Sequence, residues 1–97
     1  MLYAMTAKDK PGTGELRTST RPVHLEHLHS LGDKLVLAGA LLNEAGAPEG
    51  SLMVLEAETL EAATAAFERD PFISAGIFAS YEIKAWRVAI NNMVKGA

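Results

Sequence analysis

The chain of 97 residues has three histidines, and all of them fall in one short stretch, Arg21-Pro22-Val23-His24-Leu25-Glu26-His27-Leu28-His29. Imidazole has an ordinary pKa of about 6.5 and so is well matched to moving protons near neutral pH. The direction of each ring therefore decides what chemistry is on offer. The apolar spacing from Leu16 to Leu31 predicts a helix, which Gly32-Asp33 breaks. Counting about 100° per residue from His24, Leu31 falls near −20°, Leu28 near +40° and Leu25 near +100°. His24 is thus expected to point inward among leucines. His27, at about −60°, lies on the flank, and His29, at about +140°, faces water. Arg21, at about +60°, borders the apolar face and is a candidate to hold an anionic group, or a solvated flank residue.

A buried imidazole must find partners for its ring nitrogens or lose roughly 1–3 kcal/mol in desolvation. Two readings of His24 follow. It is either a core histidine bonded to a backbone carbonyl, or a general acid or base whose tautomer a carboxylate fixes. The spacing alone leaves both open. His24 and His27 share a helix face, yet a closed zinc site wants about four ligands, the chain has no cysteine, and Glu26 looks away. No metal is expected. Nor is a nucleotide cofactor, because Pro11-Gly12-Thr13-Gly14 lacks the lysine and length of a phosphate loop. Asp70, before Pro71-Phe72, reads as a solvated residue at a helix stop or as a partner for an imidazole. Gly39 lies inside a strand pattern, where glycine suggests a bulge or the close approach of another group.

Six elements are needed to position these residues. Leu2–Ala7 reads as a strand closed by Lys8–Gly12, and Lys34–Leu42 and Ser51–Ala57 as a pair of strands around the Gly46/Pro48/Gly50 loop. Thr59 offers a hydroxyl cap to an alanine-rich helix that Pro71 stops, and whose charges should face solvent. Ile77–Val88 reads as the last strand. The order β-α-β-β-α-β is that of the ferredoxin-like fold, an α+β class with a four-stranded antiparallel sheet. Right-handed crossovers place both helices on one sheet face. The strands LYAMTA and KLVLAGALL lack clean apolar–polar alternation, so the opposite face should also be apolar. A homodimer packed sheet to sheet would bury it. The alternative is that the tail, with Val88, Ile90, Met93 and Val94, folds back over it.

Composition agrees with one small domain in need of a partner. Hydrophobic residues make up 48% of the chain and charged ones 22%, with no cysteine for disulfides. A chain of this size buries only about 60–65% of its unfolded surface. A net charge of −3 lacks the basic surplus that phosphate binding requires, so no nucleic-acid partner is expected. No apolar run approaches the roughly 20 residues of a membrane span, and Met1–Lys10 has no secretory pattern. A cytoplasmic location is the expectation.

Met1-Leu2-Tyr3, Arg21-Pro22-Val23-His24-Leu25, Leu37-Ala38-Gly39 and Asp70-Pro71-Phe72 with Ala75-Gly76, in that order and spacing, resemble the YciI-like (YCII-related) family. The resemblance runs from about Met1 to Val88 and treats the chain as a single domain with 89–97 as an extension. It implies a ferredoxin-like subunit in a dimeric α+β barrel. It also implies an active site with a His-Asp pair, here His24 and Asp70, flanked by Arg21, Pro71 and Phe72. Arg21, Gly39 and Phe72 are the expected substrate-binding residues. Family members often carry proline after the strand glycine, where this chain has Ala40. The activity expected is acid/base chemistry, an isomerisation or elimination on a small, partly apolar molecule. The alternatives are a dimeric module that binds a small ligand without turning it over, and a cofactor-free monooxygenase.

Overall fold

A computed structural model describes residues 1–93. Its order is β1 (Leu2–Asp9), α1 (Gly14–Ser30), a short 3-10 turn (Gly32–Lys34), β2 (Leu35–Leu42), β3 (Pro48–Glu56), α2 (Leu60–Glu68), α3 (Pro71–Ser74) and β4 (Phe78–Trp86). The strands form one antiparallel sheet in the order β2-β3-β1-β4, the expected ferredoxin-like arrangement.

Period-two alternation sorts the sheet into two faces. Tyr3, Met5 and Ala7 of β1 and Ser51, Met53 and Leu55 of β3 are buried, and their apolar members join Leu28, Ala63, Ala66, Phe67 and Phe72 in one core. All the helices therefore cover this face. Thr59 caps α2 as anticipated, its hydroxyl accepting from the Ala62 amide at 3.1 Å.

On the other face the cross-strand register brings Leu37, Leu41, Leu52 and Val54 together on the β2–β3 side. β4 contributes Ser80, Glu82 and Lys84 there, opposite Lys8, Thr6 and Ala4. The expected second apolar face thus occupies only the β2–β3 half. The described part of the tail leaves Val88 38%, Ile90 81% and Met93 80% exposed, and Val94 lies outside the described residues. No helix of the described residues is long and apolar enough to cross a membrane.

Four local expectations need correction. β3 begins at Pro48 rather than Ser51, so Pro48 and Gly50 lie in the strand, paired with Leu42 and Leu41, and not in the loop. β1 runs two residues further than the apolar pattern, because Lys8 and Asp9 continue the alternation, Lys8 exposed and Asp9 half-buried. Gly39 pairs in register with Leu52, and an added Cβ there would meet nothing within 4 Å, so neither a bulge nor a close approach explains it. The irregularities of β2 lie between Leu35 and Leu37 and between Leu41 and Leu42. Finally, Asp70 does not face solvent; it is 1% exposed.

Candidate functional site

The burial of Asp70 follows from α3. An aspartate at the end of α2 would oppose the helix dipole, but the chain turns there and Asp70 becomes the N-cap of α3, with Pro71 in the first turn. Its Oδ1 accepts from the Phe72 amide at 2.9 Å. The same oxygen lies 2.7 Å from His24 Nδ1, so the two residues meet within one chain, between α1 and the start of α3. With Asp70 ionised and the ring neutral, Nδ1 carries the hydrogen and Nε2 holds the lone pair. Asp70 Oδ2 is buried without a hydrogen-bond partner among the described residues.

Phe72 links this pair to a second one. Its ring stacks on His24 with centroids 3.7 Å apart and planes 3° from parallel. The guanidinium carbon of Arg17 lies 4.8 Å from the centroid of the same ring, within cation–π range. Arg17 precedes His24 by two helical turns, about 10.5 Å of rise, and Phe72 reaches both. One terminal nitrogen of Arg17 donates to both oxygens of Asp9 at 2.9 and 2.8 Å. The other donates to the Gly50 carbonyl and to Ser51 Oγ, each at 3.0 Å.

These side chains border a cavity of about 200 Å³ between α1 and the β2–β3 end of the sheet. Arg17, Arg21, His24, Leu28, Ser51 and Phe72 line it, with the backbone of Ala38-Gly39-Ala40 as one wall. A cavity of roughly 150 Å³ is known to hold benzene, so this one suits a single substituted ring. Every residue expected at the site therefore reaches one place: His24, Arg21, Gly39 and Phe72 line the cavity, and Asp70 holds His24 from behind. Gly39 sits there through its backbone, between two alanines whose small side chains leave room. Arg21 is exposed. Wider grooves of about 510 and 620 Å³ lie elsewhere, and no histidine lines either.

Arg17 and Ser51 were not anticipated. The helical count places Arg17 near +20°, in the middle of the apolar stripe, and that position was the available signal. The other histidines behave as their angles foretold. His27 is half-buried with Nε2 3.0 Å from the Ala66 carbonyl, and His29 is exposed.

Element order, sheet order and a helix-covered cavity at one end of the sheet define a ferredoxin-like α+β subunit with a side-chain site between sheet and helix. Residues 1–87 match the YCII-related domain, and the chain belongs to that family, the YciI-like proteins. It is 38% identical to protein YciI of Escherichia coli O6:H1 over 95 residues, covering 90% of this chain and 97% of that one. Among solved structures it is similar to 5-chloro-2-hydroxyhydroquinone dehydrochlorinase (TftG) of Burkholderia phenoliruptrix AC1100, in complex with 2,5-dihydroxybenzoquinone. The identity is 30%, the TM-score 0.82, and the match covers 90% of this chain and 94% of that one. A NIPSNAP family protein of Agrobacterium tumefaciens, 10% identical with a TM-score of 0.56 over 96% of this chain and 97% of that one, shares the fold alone.

Proposed function

We propose that this chain is a small-molecule enzyme in which His24, oriented by Asp70, performs proton transfer in an elimination on a small hydroxylated ring. The observation that carries this reading is the hydrogen bond from Nδ1 to a buried carboxylate, which leaves Nε2 as the basic nitrogen of a cavity-lining residue. Nε2 takes a proton from the substrate, the electron pair released moves through the ring, and the leaving group departs with its own bonding pair. Loss of proton and anion balances without an oxidant. Isomerisation differs only in that the proton returns to another carbon. The dehydrochlorinase to which the chain is similar is named for an elimination of this kind, and its ring substrate matches the cavity in size. Arg21, at the exposed edge, is placed to meet an anionic substituent.

Chloride release from 5-chloro-2-hydroxyhydroquinone tests the reading. The His24→Ala protein should be slower by at least the roughly 100-fold typical of a lost general base. An equal rate would remove His24 from that role, and a wild-type protein that releases no chloride would remove this substrate class.

The working form is proposed to be a homodimer packed through the open sheet face. Leu37, Leu41 and Leu52 form the open apolar half of that face around Val54, and Leu41 is 43% exposed in the single chain while Val54 is already buried. Sedimentation at micromolar concentration should give twice the chain mass; a monomer would refute the arrangement.

A further inference from the structure

A base that removes a proton next to a carbonyl or hydroxyl leaves negative charge on an oxygen, and some group must receive it. We infer that Ser51 is the hydrogen-bond donor that meets this oxygen, with Arg17 as the positioning residue that aims it. The inference rests on the reading of the cavity as a substrate site.

The assignment follows from comparing the side-chain hydroxyls and the arginine terminal nitrogens that line the cavity. The hydroxyl of Thr18 is committed to the Gly14 carbonyl at 3.1 Å. Both terminal nitrogens of Arg17 are committed, one to the two oxygens of Asp9 and the other to Gly50 and Ser51, so its charge is already matched. Arg21 is exposed, where water weakens and blurs any hydrogen bond. Ser51 differs from all three. It is 2% exposed and lines the cavity, and its oxygen accepts from the Arg17 guanidinium. Among the described residues that hydroxyl donates to nothing. With one lone pair occupied by a cation, its own proton is both polarised and free.

A hydroxyl held in this way favours an anionic oxygen over a neutral one, because a charged acceptor roughly doubles the strength of a hydrogen bond. It also has little reorganisation to undergo, since Asp9 fixes Arg17 and Arg17 fixes Ser51. The class of ligand implied is a ring bearing an ionisable or enolisable oxygen, bound with that oxygen toward β3 and its reacting proton toward His24.

Binding of 2,5-dihydroxybenzoquinone, followed by calorimetry, tests the assignment without any need for turnover. Ser51→Ala should weaken binding at least tenfold, the loss expected for a hydrogen bond to a charged group. Ser51→Thr, which keeps the hydroxyl, should stay within about threefold of wild type. Should the alanine protein fail to fold, Ser51→Cys keeps the shape with a weak donor and should lose affinity in the same direction. Unchanged affinity in the alanine or cysteine protein, or an equal loss in the threonine protein, overturns the role of Ser51 while leaving His24 as the base. A wild-type protein that does not bind the quinone overturns the cavity as a substrate site, and this assignment with it.

Discussion

Two carboxylates hold nitrogen-bearing side chains of α1, one at either end of the Phe72 contact, and they are finished differently. At Asp9, both oxygens receive the Arg17 guanidinium, and the remaining terminal N–H groups of Arg17 go to Gly50 and Ser51. At Asp70, one oxygen receives both His24 Nδ1 and the Phe72 amide, and the other receives nothing among the described residues. The first pair ties β1, β3 and α1 together, and both oxygens of Asp9 and both terminal nitrogens of Arg17 have partners. The second leaves one carboxylate oxygen without a partner among the described residues, which lowers stability, and on the proposed reading it leaves Nε2 as the base. The clamp and the proposed dyad thus share one aromatic ring and differ in whether both carboxylate oxygens have partners.

Replacing each carboxylate or its partner should separate the two. Asp70→Asn keeps the shape but gives the ring nitrogen an ambiguous neighbour, so His24 loses its fixed tautomer. Turnover is expected to fall roughly 10²- to 10⁴-fold, the upper figure being the scale of a lost tautomer in a catalytic triad. Its cost in denaturant stability should be smaller than that of Arg17→Met. Removing the guanidinium strands Asp9 as a buried, unpaired charge, which should destabilise the fold by about 3–5 kcal/mol. The reverse ranking in stability would erase the distinction between clamp and dyad. The smallest effect belongs to an exposed contact that serves as reference. The Tyr81 hydroxyl donates to Glu68, and this bond, then partial burial and then the nearby negative charge, raise the phenol above its ordinary 10.0. The stabilisation is present while the phenol keeps its proton and is lost as pH climbs through the raised value. Glu68→Gln should return the Tyr81 absorbance titration toward 10.0. An unmoved midpoint would mean that the contact does not persist in solution.

Much of this was legible in the residues themselves. The helical count turned His24 inward and His29 outward because a 17-residue helix keeps its phase over two turns. Thr59 marked the start of α2 by its capping hydroxyl, whereas Pro48 and Gly50, read as loop, belong to β3. Arg17 stood on the same face by the same count, but an arginine is ordinarily solvated, and its burial depends on Asp9. That aspartate lies at the end of a strand whose polar alternation resembles a loop. The pairing of Asp70 with His24 was legible only through the family resemblance, for a related reason: Pro71 follows one helix and begins another, and only the packing of α3 on α1 makes the aspartate a cap beneath an imidazole. The glycines misled in the same way. Gly39 has open space around it, whereas a Cβ on Gly50, read as loop, would lie 2.4 Å from the Ala7 carbonyl oxygen. Close approach between neighbouring strands is a property of register, which no single segment carries.

The central claim is that Asp70 fixes which nitrogen of His24 is basic. Nitrogen-15 NMR of the neutral His24 ring reads this directly, without a substrate. In the wild-type protein Nδ1 should be protonated and Nε2 bare and pyridine-like, with this preference lost in Asp70→Asn. A proton on Nε2 in the wild-type ring, or a preference unchanged in the variant, would contradict it.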